Sequence, residues 1–149
     1  MKIEDEIKGR FRNEYHKGLI NLIFTAKQLN QRFLTVLKKH NITEAQYNVL
    51  RILRGNKESN TSSIRYIKER MLDRNSDVSR IVDKLYGLQY IDRKECPLDR
   101  RQKEVSITKK GLDLLSKMDN SEKQVDTFLN NLNDSEVKII NELLDKIRN

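Results

Sequence analysis

The chain has 149 residues, a formal net charge of +8, 36% hydrophobic residues and a single cysteine. No run of about eighteen apolar residues exists, and one cysteine cannot build a disulfide framework, so we expect a cytoplasmic protein without a membrane partner. Positive charge is concentrated before residue 111, because residues 1–60 sum to +6, residues 61–110 to +5 and residues 111–149 to −3. This imbalance favours a polyanionic partner.

The first forty residues contain an apolar stripe that predicts one long helix. Its members recur every three or four residues: Ile3, Ile7, Phe11, Tyr15, Leu19, Leu22, Ala26, Leu29, Phe33 and Val36. An unbroken helix of this length would span roughly 55 Å, with a bend expected at Gly18. Residues 19–24 are apolar on nearly every side, so we expect that part to be buried from several directions.

Two shorter helices are predicted next. Thr43 and Gln46 have the spacing of a capping box, which indicates a helix start. The polar stretch 55–60 ends that helix, and a residue within 61–63 can cap the following one. The inward positions of the two helices are Tyr47, Leu50, Leu53, Ile64, Ile67 and either Met71 or Leu72. Residues 72–75 then form a turn.

A short amphipathic helix after this turn provides the first candidate binding surface. Its apolar side is formed by Val78, Ile81, Val82, Leu85 and Leu88, which recur at helical spacing. Asn75 or Ser76 is expected to cap its start. Its other side holds Ser76, Asp77, Ser79, Arg80, Asp83 and Lys84. Such a polar side suits a helix that meets base edges and phosphates, although most surface helices are built the same way.

A β-hairpin with a positive tip is predicted after the helix. Residues 90–95 form one extended run, and residues 103–107 alternate between core and solvent in the other. The loop between them holds the chain's only proline and the pair Arg100 and Arg101 beside Asp99. Arginine is favoured in a narrow minor groove of DNA, but a solvated, salt-bridged hairpin explains the same residues equally well.

Two further apolar stripes lie near the C-terminus. They comprise Val125, Phe128, Leu129 and Leu132, then Val137, Ile140, Leu143, Leu144 and Ile147. Asn133 and Glu136 have capping-box spacing, so a new helix is expected between the stripes. A small core cannot cover these stripes and the N-terminal one, which predicts a second copy of the chain as partner. The alternative is a monomer in which the end helices fold back on one another.

The order of these pieces resembles the MarR family of winged-helix transcription regulators. The pieces are VSRIVDKL (78–85), GLQYIDR (87–93), DRR (99–101) and VSITKKG (105–111). The family order is a helix core, then G-L-[IV]-x-R, a D-x-R wing and a strand ending in L-T-x-x-G. This chain departs from it only by the added bulk of Gln89 and Tyr90 and by Ile107 where leucine is usual.

The resemblance implies a mainly α fold with a small β-hairpin wing. It divides the chain into an N-terminal dimerisation helix (1–40), a winged helix-turn-helix DNA-binding domain (41–110) and C-terminal dimerisation helices (111–149). It implies a homodimeric, sequence-specific regulator of double-stranded DNA that acts on a pseudo-palindromic operator, as a repressor rather than an activator. A two-fold dimer places its recognition helices about 34–36 Å apart, which matches successive major grooves.

The resemblance also implies which residues lie at the DNA. They are Ser76, Asp77, Ser79, Arg80, Lys84, Arg93, Asp99, Arg100 and Arg101. Arg101 matches the wing arginine of the minor groove, and Asp99 matches the acid that holds it. Arg93 could contact either phosphate or its acidic neighbours Asp92 and Glu95.

A small-molecule effector is the remaining partner that the resemblance implies. Its pocket would be lined by Tyr15, Leu19, Ile23, Tyr47 and Leu50, which are plain core residues on the alternative interpretation. No metal or cofactor is predicted, because His16 and His40 are isolated, and Cys96 is expected to be an inert thiol rather than a redox sensor. No set of catalytic residues can be assembled, so an enzyme is not expected. The alternative function is a basic module that binds protein or RNA without reading DNA sequence.

Overall fold

A computed structural model describes the backbone of residues 1–149 and every side chain except that of Glu122. The helices are α1 (Ile3–Ile7), α2 (Glu14–Lys38), α3 (Glu44–Gly55), α4 (Ile64–Arg70), α5 (Val78–Gly87), α6 (Lys109–Asp126) and α7 (Asp134–Arg148). The strands are β1 (Ser62–Ser63), β2 (Ile91–Glu95) and β3 (Lys103–Ile107). The predicted fold class, mainly helical with a β-hairpin, is confirmed. The chain divides into two compact units, Met1–Val36 and Leu37–Asn149.

The first unit begins with two helices instead of the predicted one. Helix α1 ends where Lys8 adopts a left-handed backbone with φ 52°. Helix α2 starts after Asn13, whose side-chain oxygen accepts a hydrogen bond from the His16 amide at 2.9 Å. The prediction of an unbroken helix with a bend at Gly18 is therefore wrong, since the break lies at residues 8–13 and Gly18 is inside α2. The apolar spacing continues across the break and so could not reveal it.

An ion pair joins the two helices of this unit. The Lys17 ammonium lies 2.6 Å from a carboxylate oxygen of Glu4, and this hydrogen bond lowers the pKa of Glu4 and raises that of Lys17. Because the folded-state pKa of Glu4 is lowered, the contribution of the pair is present at neutral pH. It is lost as the pH falls below 4.5 through the folded pKa. Both groups lie at the surface, so the stabilisation is weak.

The second unit contains a three-stranded antiparallel sheet in the order β1-β3-β2. Strands β2 and β3 form the predicted hairpin, in register from Ile91 opposite Ile107 to Glu95 opposite Lys103. Strand β1 pairs with β3 and was not predicted, because two residues show no alternation. Helices α3, α4 and α5 pack against this sheet. The sheet and these helices place the hairpin tip and α5 in one body.

The core of this unit is built from the predicted inward positions together with parts of α6. Its most deeply buried side chains are Leu37, Val49, Leu50, Ile67, Val82, Leu85, Ile91, Val105, Leu115 and Met118. Each such burial stabilises the fold by about 1.5–3 kcal/mol relative to an exposed side chain. Met71 is buried and Leu72 is exposed, which decides between the two candidates for that inward position.

Three of the local capping signals in this unit are confirmed. Thr43 and Gln46 form a reciprocal capping box at the start of α3, and the Ser63 hydroxyl accepts a hydrogen bond from the Tyr66 amide at 3.0 Å. Asn133 and Glu136 form a second box at the start of α7, with bonds of 3.0 and 2.8 Å. Among the described residues, no helix is both long and apolar enough to cross a bilayer.

Candidate nucleic-acid interface

Helix α5 is capped by Asp77 rather than by Asn75 or Ser76. The Asp77 carboxylate accepts a hydrogen bond from the Arg80 amide at 3.2 Å, whereas the Asn75 amide donates to Asp73 within the preceding turn at 2.9 Å. The expected cap was thus one or two residues too early. A carboxylate here satisfies an unpaired amide and also lies at the positive end of the helix dipole. Asp77 is therefore the N-cap of the candidate recognition helix.

Replacement of Asp77 by alanine is expected to lower the free energy of unfolding by about 1 kcal/mol, because a first-turn amide loses its acceptor. Serine at the same position should restore most of the loss, since its hydroxyl can cap as well. Urea denaturation of the two variants beside the wild type measures both effects. Equal stability of the alanine and serine variants would rule out the capping role.

The polar side of α5 is open to solvent. Ser79, Arg80, Asp83 and Lys84 are exposed, and the opposite side is packed into the core through Val78, Val82 and Leu85. Ser76 is half-buried and lies just before the helix. Four of the hydrogen-bonding residues predicted from the sequence therefore share one accessible surface, which is the geometry that groove insertion requires.

The far end of α5 is held by a junction that sequence reasoning missed. The Lys110 amino group donates a hydrogen bond to the Leu88 carbonyl oxygen at 2.9 Å. The Thr108 hydroxyl donates one to the Gln89 carbonyl oxygen at 2.7 Å. The Thr108 amide donates to the Tyr90 carbonyl oxygen at 3.1 Å. Gln89 has a left-handed backbone, φ 64°, which reverses the chain into β2. The TKKG segment was quoted as a motif, but its partners are distant in sequence and could not be inferred.

The wing tip is organised by Asp99 through the main chain. Its carboxylate accepts a hydrogen bond from the Arg101 amide at 3.0 Å, and its carbonyl oxygen accepts one from the Gln102 amide at 2.9 Å. Arg100 and Arg101 are exposed, and within the described part of the chain neither forms an ion pair. Asp99 therefore fixes the backbone that presents Arg101, while the guanidinium stays available.

The wing and the helices enclose one groove of about 600 Å³. Its lining comprises Ser63, Ile64, Arg65, Ser79, Val82, Asp83, Arg101, Gln102 and Lys103. The lining includes three cationic side chains, Arg65, Arg101 and Lys103, and one carboxylate, Asp83. Neither Arg65 nor Lys103 was among the predicted DNA-binding residues, because sequence motifs and residue spacing do not show which charged side chains from different elements lie together. Such a groove offers donors and positive charge to a phosphate backbone.

Arg93 takes a different position from the one expected. Its guanidinium pairs with the Asp83 carboxylate of α5 and lies 4.5 Å from the centre of the Tyr86 ring. Of the contacts left open for Arg93, an ion pair with Asp92 or Glu95 is not the one formed, since the guanidinium pairs with Asp83. Asp92 is the next residue of the strand and points to the opposite side of the sheet.

The five residues suggested for an effector pocket are distributed over the two units. In the first unit Tyr15, Leu19 and Ile23 are exposed, with Tyr15 91% accessible. In the second unit Tyr47 and Leu50 are buried in the core. The pocket stays a prediction. No group of three or more His, Cys, Asp or Glu side chains able to bind a metal occurs among the residues described.

Comparison with known proteins agrees with this geometry. The MarR family model matches residues 42–103, which run from the start of the helix-turn-helix to the wing. The transcriptional regulator MhqR of Bacillus subtilis (strain 168) is 25% identical over 122 residues, which cover 81% of this chain and 82% of that protein.

Solved structures of regulators share the fold. AbsC, a MarR family regulator from Streptomyces coelicolor, aligns with a TM-score of 0.81 at 16% identity, covering 94% of this chain and 96% of AbsC. BpsR of Bordetella bronchiseptica aligns with a TM-score of 0.70 at 22% identity, covering 87% and 99%. The helix-turn-helix, the wing and the family-model match coincide in residues 42–103, and over these residues the chain is similar to the MarR family.

Proposed function

We propose that the protein is a homodimeric, sequence-specific DNA-binding repressor that acts on a pseudo-palindromic operator. The observation that carries the proposal is the groove shared by Ser79 of α5 and by Arg101 and Lys103 of the wing. Hydrogen-bonding groups for base edges stand on the helix, and cations for phosphates and the minor groove stand on the wing. A duplex can therefore meet both elements in neighbouring grooves.

Exposed apolar side chains in each unit support the dimer. In the first unit Tyr15, Leu19 and Ile23 leave 91%, 56% and 43% of their surface exposed. In the second unit α7 exposes Ile139, Leu143 and Ile147 by 53%, 54% and 68%. Apolar surface of this extent on terminal helices is characteristic of an interface, and a second copy of the chain is the simplest partner for each set.

In this proposal, the dimer represses transcription by occupying its operator. A dimer that spans two successive major grooves covers its operator and excludes other proteins from it. An effector releases the operator only if it binds the DNA-incompetent state more tightly than the competent one. One structure of BpsR concerns the regulation of its DNA binding by 6-hydroxynicotinic acid. That precedent within the same fold supports a small-molecule effector for this chain too.

Affinity for duplex DNA is expected to fall steeply with salt, because each phosphate contact releases counterions. With six phosphate contacts per dimer as an order-of-magnitude figure, the logarithmic slope would be roughly −5. Titration of a fluorescent duplex at several salt concentrations gives the slope, and sedimentation of the complex gives the number of chains bound. A flat salt response, or one chain per operator, would contradict the proposal.

A competition experiment distinguishes the repressor from the alternative function, a basic module that binds RNA or acidic proteins. A repressor bound to its operator at fixed salt should be displaced poorly by unrelated duplex and by single-stranded RNA. Displacement by RNA as readily as by operator DNA would favour the alternative.

A further inference from the structure

One arginine connects the wing strand to the candidate recognition helix. Arg93 lies on β2, and its guanidinium binds the Asp83 carboxylate while stacking on the Tyr86 ring at 4.5 Å. Asp83 and Tyr86 are three residues apart, so they are neighbours on one side of α5. A single side chain therefore holds the helix at two points within one turn. A planar guanidinium is suited to this double contact, and an ammonium is not.

The position of Asp83 connects this contact with DNA binding. Asp83 lines the groove that Ser79 and Arg101 also line. A free carboxylate there would repel a phosphate backbone, whereas one paired with a guanidinium presents little net charge. Arg93 is only about half as accessible as Asp83, at 30% against 58% of the side chain. The guanidinium is therefore the less accessible member of the pair.

We propose that Arg93 is a positioning residue and not a phosphate contact. Through Asp83 and Tyr86 it fixes the wing relative to α5, so that both enter their grooves together, and it neutralises the carboxylate on the DNA-facing side. This inference rests on the proposed DNA-binding function. It differs from both contacts left open for Arg93 in the sequence, a phosphate or the neighbouring Asp92 and Glu95.

The test is a double-mutant cycle on the full-length protein with operator DNA. Arg93→Gln should weaken binding about tenfold, and Asp83→Asn should weaken it comparably even though it removes a negative charge. The double variant should bind no more weakly than Arg93→Gln alone, because both substitutions break the same ion pair between Arg93 and Asp83. Arg93→Lys, which keeps the charge but cannot both stack and pair, should resemble Arg93→Gln.

Salt dependence separates positioning from phosphate contact. Arg93→Gln should leave the slope of log affinity against log salt unchanged, whereas loss of a phosphate contact would reduce it by about 1. Lys94→Gln is the matched control, since Lys94 is the next, exposed residue of β2 and loses the same charge. It should change affinity by about twofold or less, because its side chain points to the opposite side of the sheet from Arg93. Thermal unfolding of each variant identifies any loss of fold.

The outcomes are distinct. Tighter binding by Asp83→Asn, together with a reduced salt slope for Arg93→Gln, would show that Arg93 contacts phosphate and would overturn the inference. Additive effects of the two substitutions would overturn it as well. If the wild type bound no duplex, the proposed function itself would fail. Coupled losses with an unchanged slope support the positioning role.

Discussion

Replacement of Arg101 by alanine is expected to weaken operator binding by about 1–3 kcal/mol, or roughly 5- to 150-fold. Arg101 lies exposed at the wing, lines the groove beside Ser79 and is presented by a backbone that the Asp99 carboxylate holds at 3.0 Å. Its weakly hydrated guanidinium gains from the negative potential of a narrow minor groove. Because the side chain is exposed, its removal should change the free energy of unfolding by less than about 0.5 kcal/mol.

A fluorescence titration with operator DNA at fixed salt measures this effect. Arg148→Ala is the control, because it removes the same charge from an exposed position at the end of α7. Arg101→Lys should recover part of the affinity, since lysine keeps the charge but is more strongly hydrated. An unchanged affinity of Arg101→Ala, or an equal loss in the control, would contradict the assignment of Arg101 as the DNA contact of the wing.

Gly111→Ala is expected to lower the free energy of unfolding by about 1–3 kcal/mol. Gly111 is buried in the first turn of α6, and a Cβ there would overlap the Tyr90 carbonyl oxygen and lie 2.8 Å from Cγ1 of Ile107. That carbonyl already accepts the Thr108 amide hydrogen bond. Relief of the overlap would therefore have to move the turn that ends α5 and loosen the junction to α6.

Gly18→Ala provides the matched control for this prediction. Gly18 lies inside α2, and a Cβ there meets nothing within 4 Å. Alanine should stabilise that helix by about 0.5–1 kcal/mol, because glycine loses more backbone entropy on folding. Urea denaturation of both variants compares the same chemical change in two surroundings. Equal stability changes in the two would mean that the close approach at Gly111 has no energetic consequence.

Local signals in the sequence were sufficient for much of the fold. Thr43 with Gln46 and Asn133 with Glu136 were assigned as caps from spacing alone, since both partners of a capping box lie within one turn. Strand β3 followed from the alternation of residues 103–107, whose inward residue Val105 is buried in the core. The break at Lys8 could not be predicted, because a residue with a left-handed backbone need not interrupt the helical spacing of apolar residues.

Ser79, Asp83 and Arg101, which line the groove, were singled out in the sequence, whereas Arg65 and Lys103 were not, and the contacts between elements could not be predicted. The polar side of α5 and the arginine pair of the wing were visible in the sequence. The pairing of Arg93 with Asp83 joins residues ten positions apart through the end of a helix and a turn at Gln89, which no periodicity describes. The same is true of Lys110, whose partner Leu88 is separated from it by the whole hairpin.

Selection of binding sites from random duplex DNA with the purified protein at fixed salt tests the central claim most directly. A homodimeric regulator should enrich an inverted repeat whose half-site centres are about 10 base pairs apart, because the two recognition helices must enter successive major grooves. Retention of DNA without sequence preference, or enrichment of a single half-site without symmetry, would contradict that account.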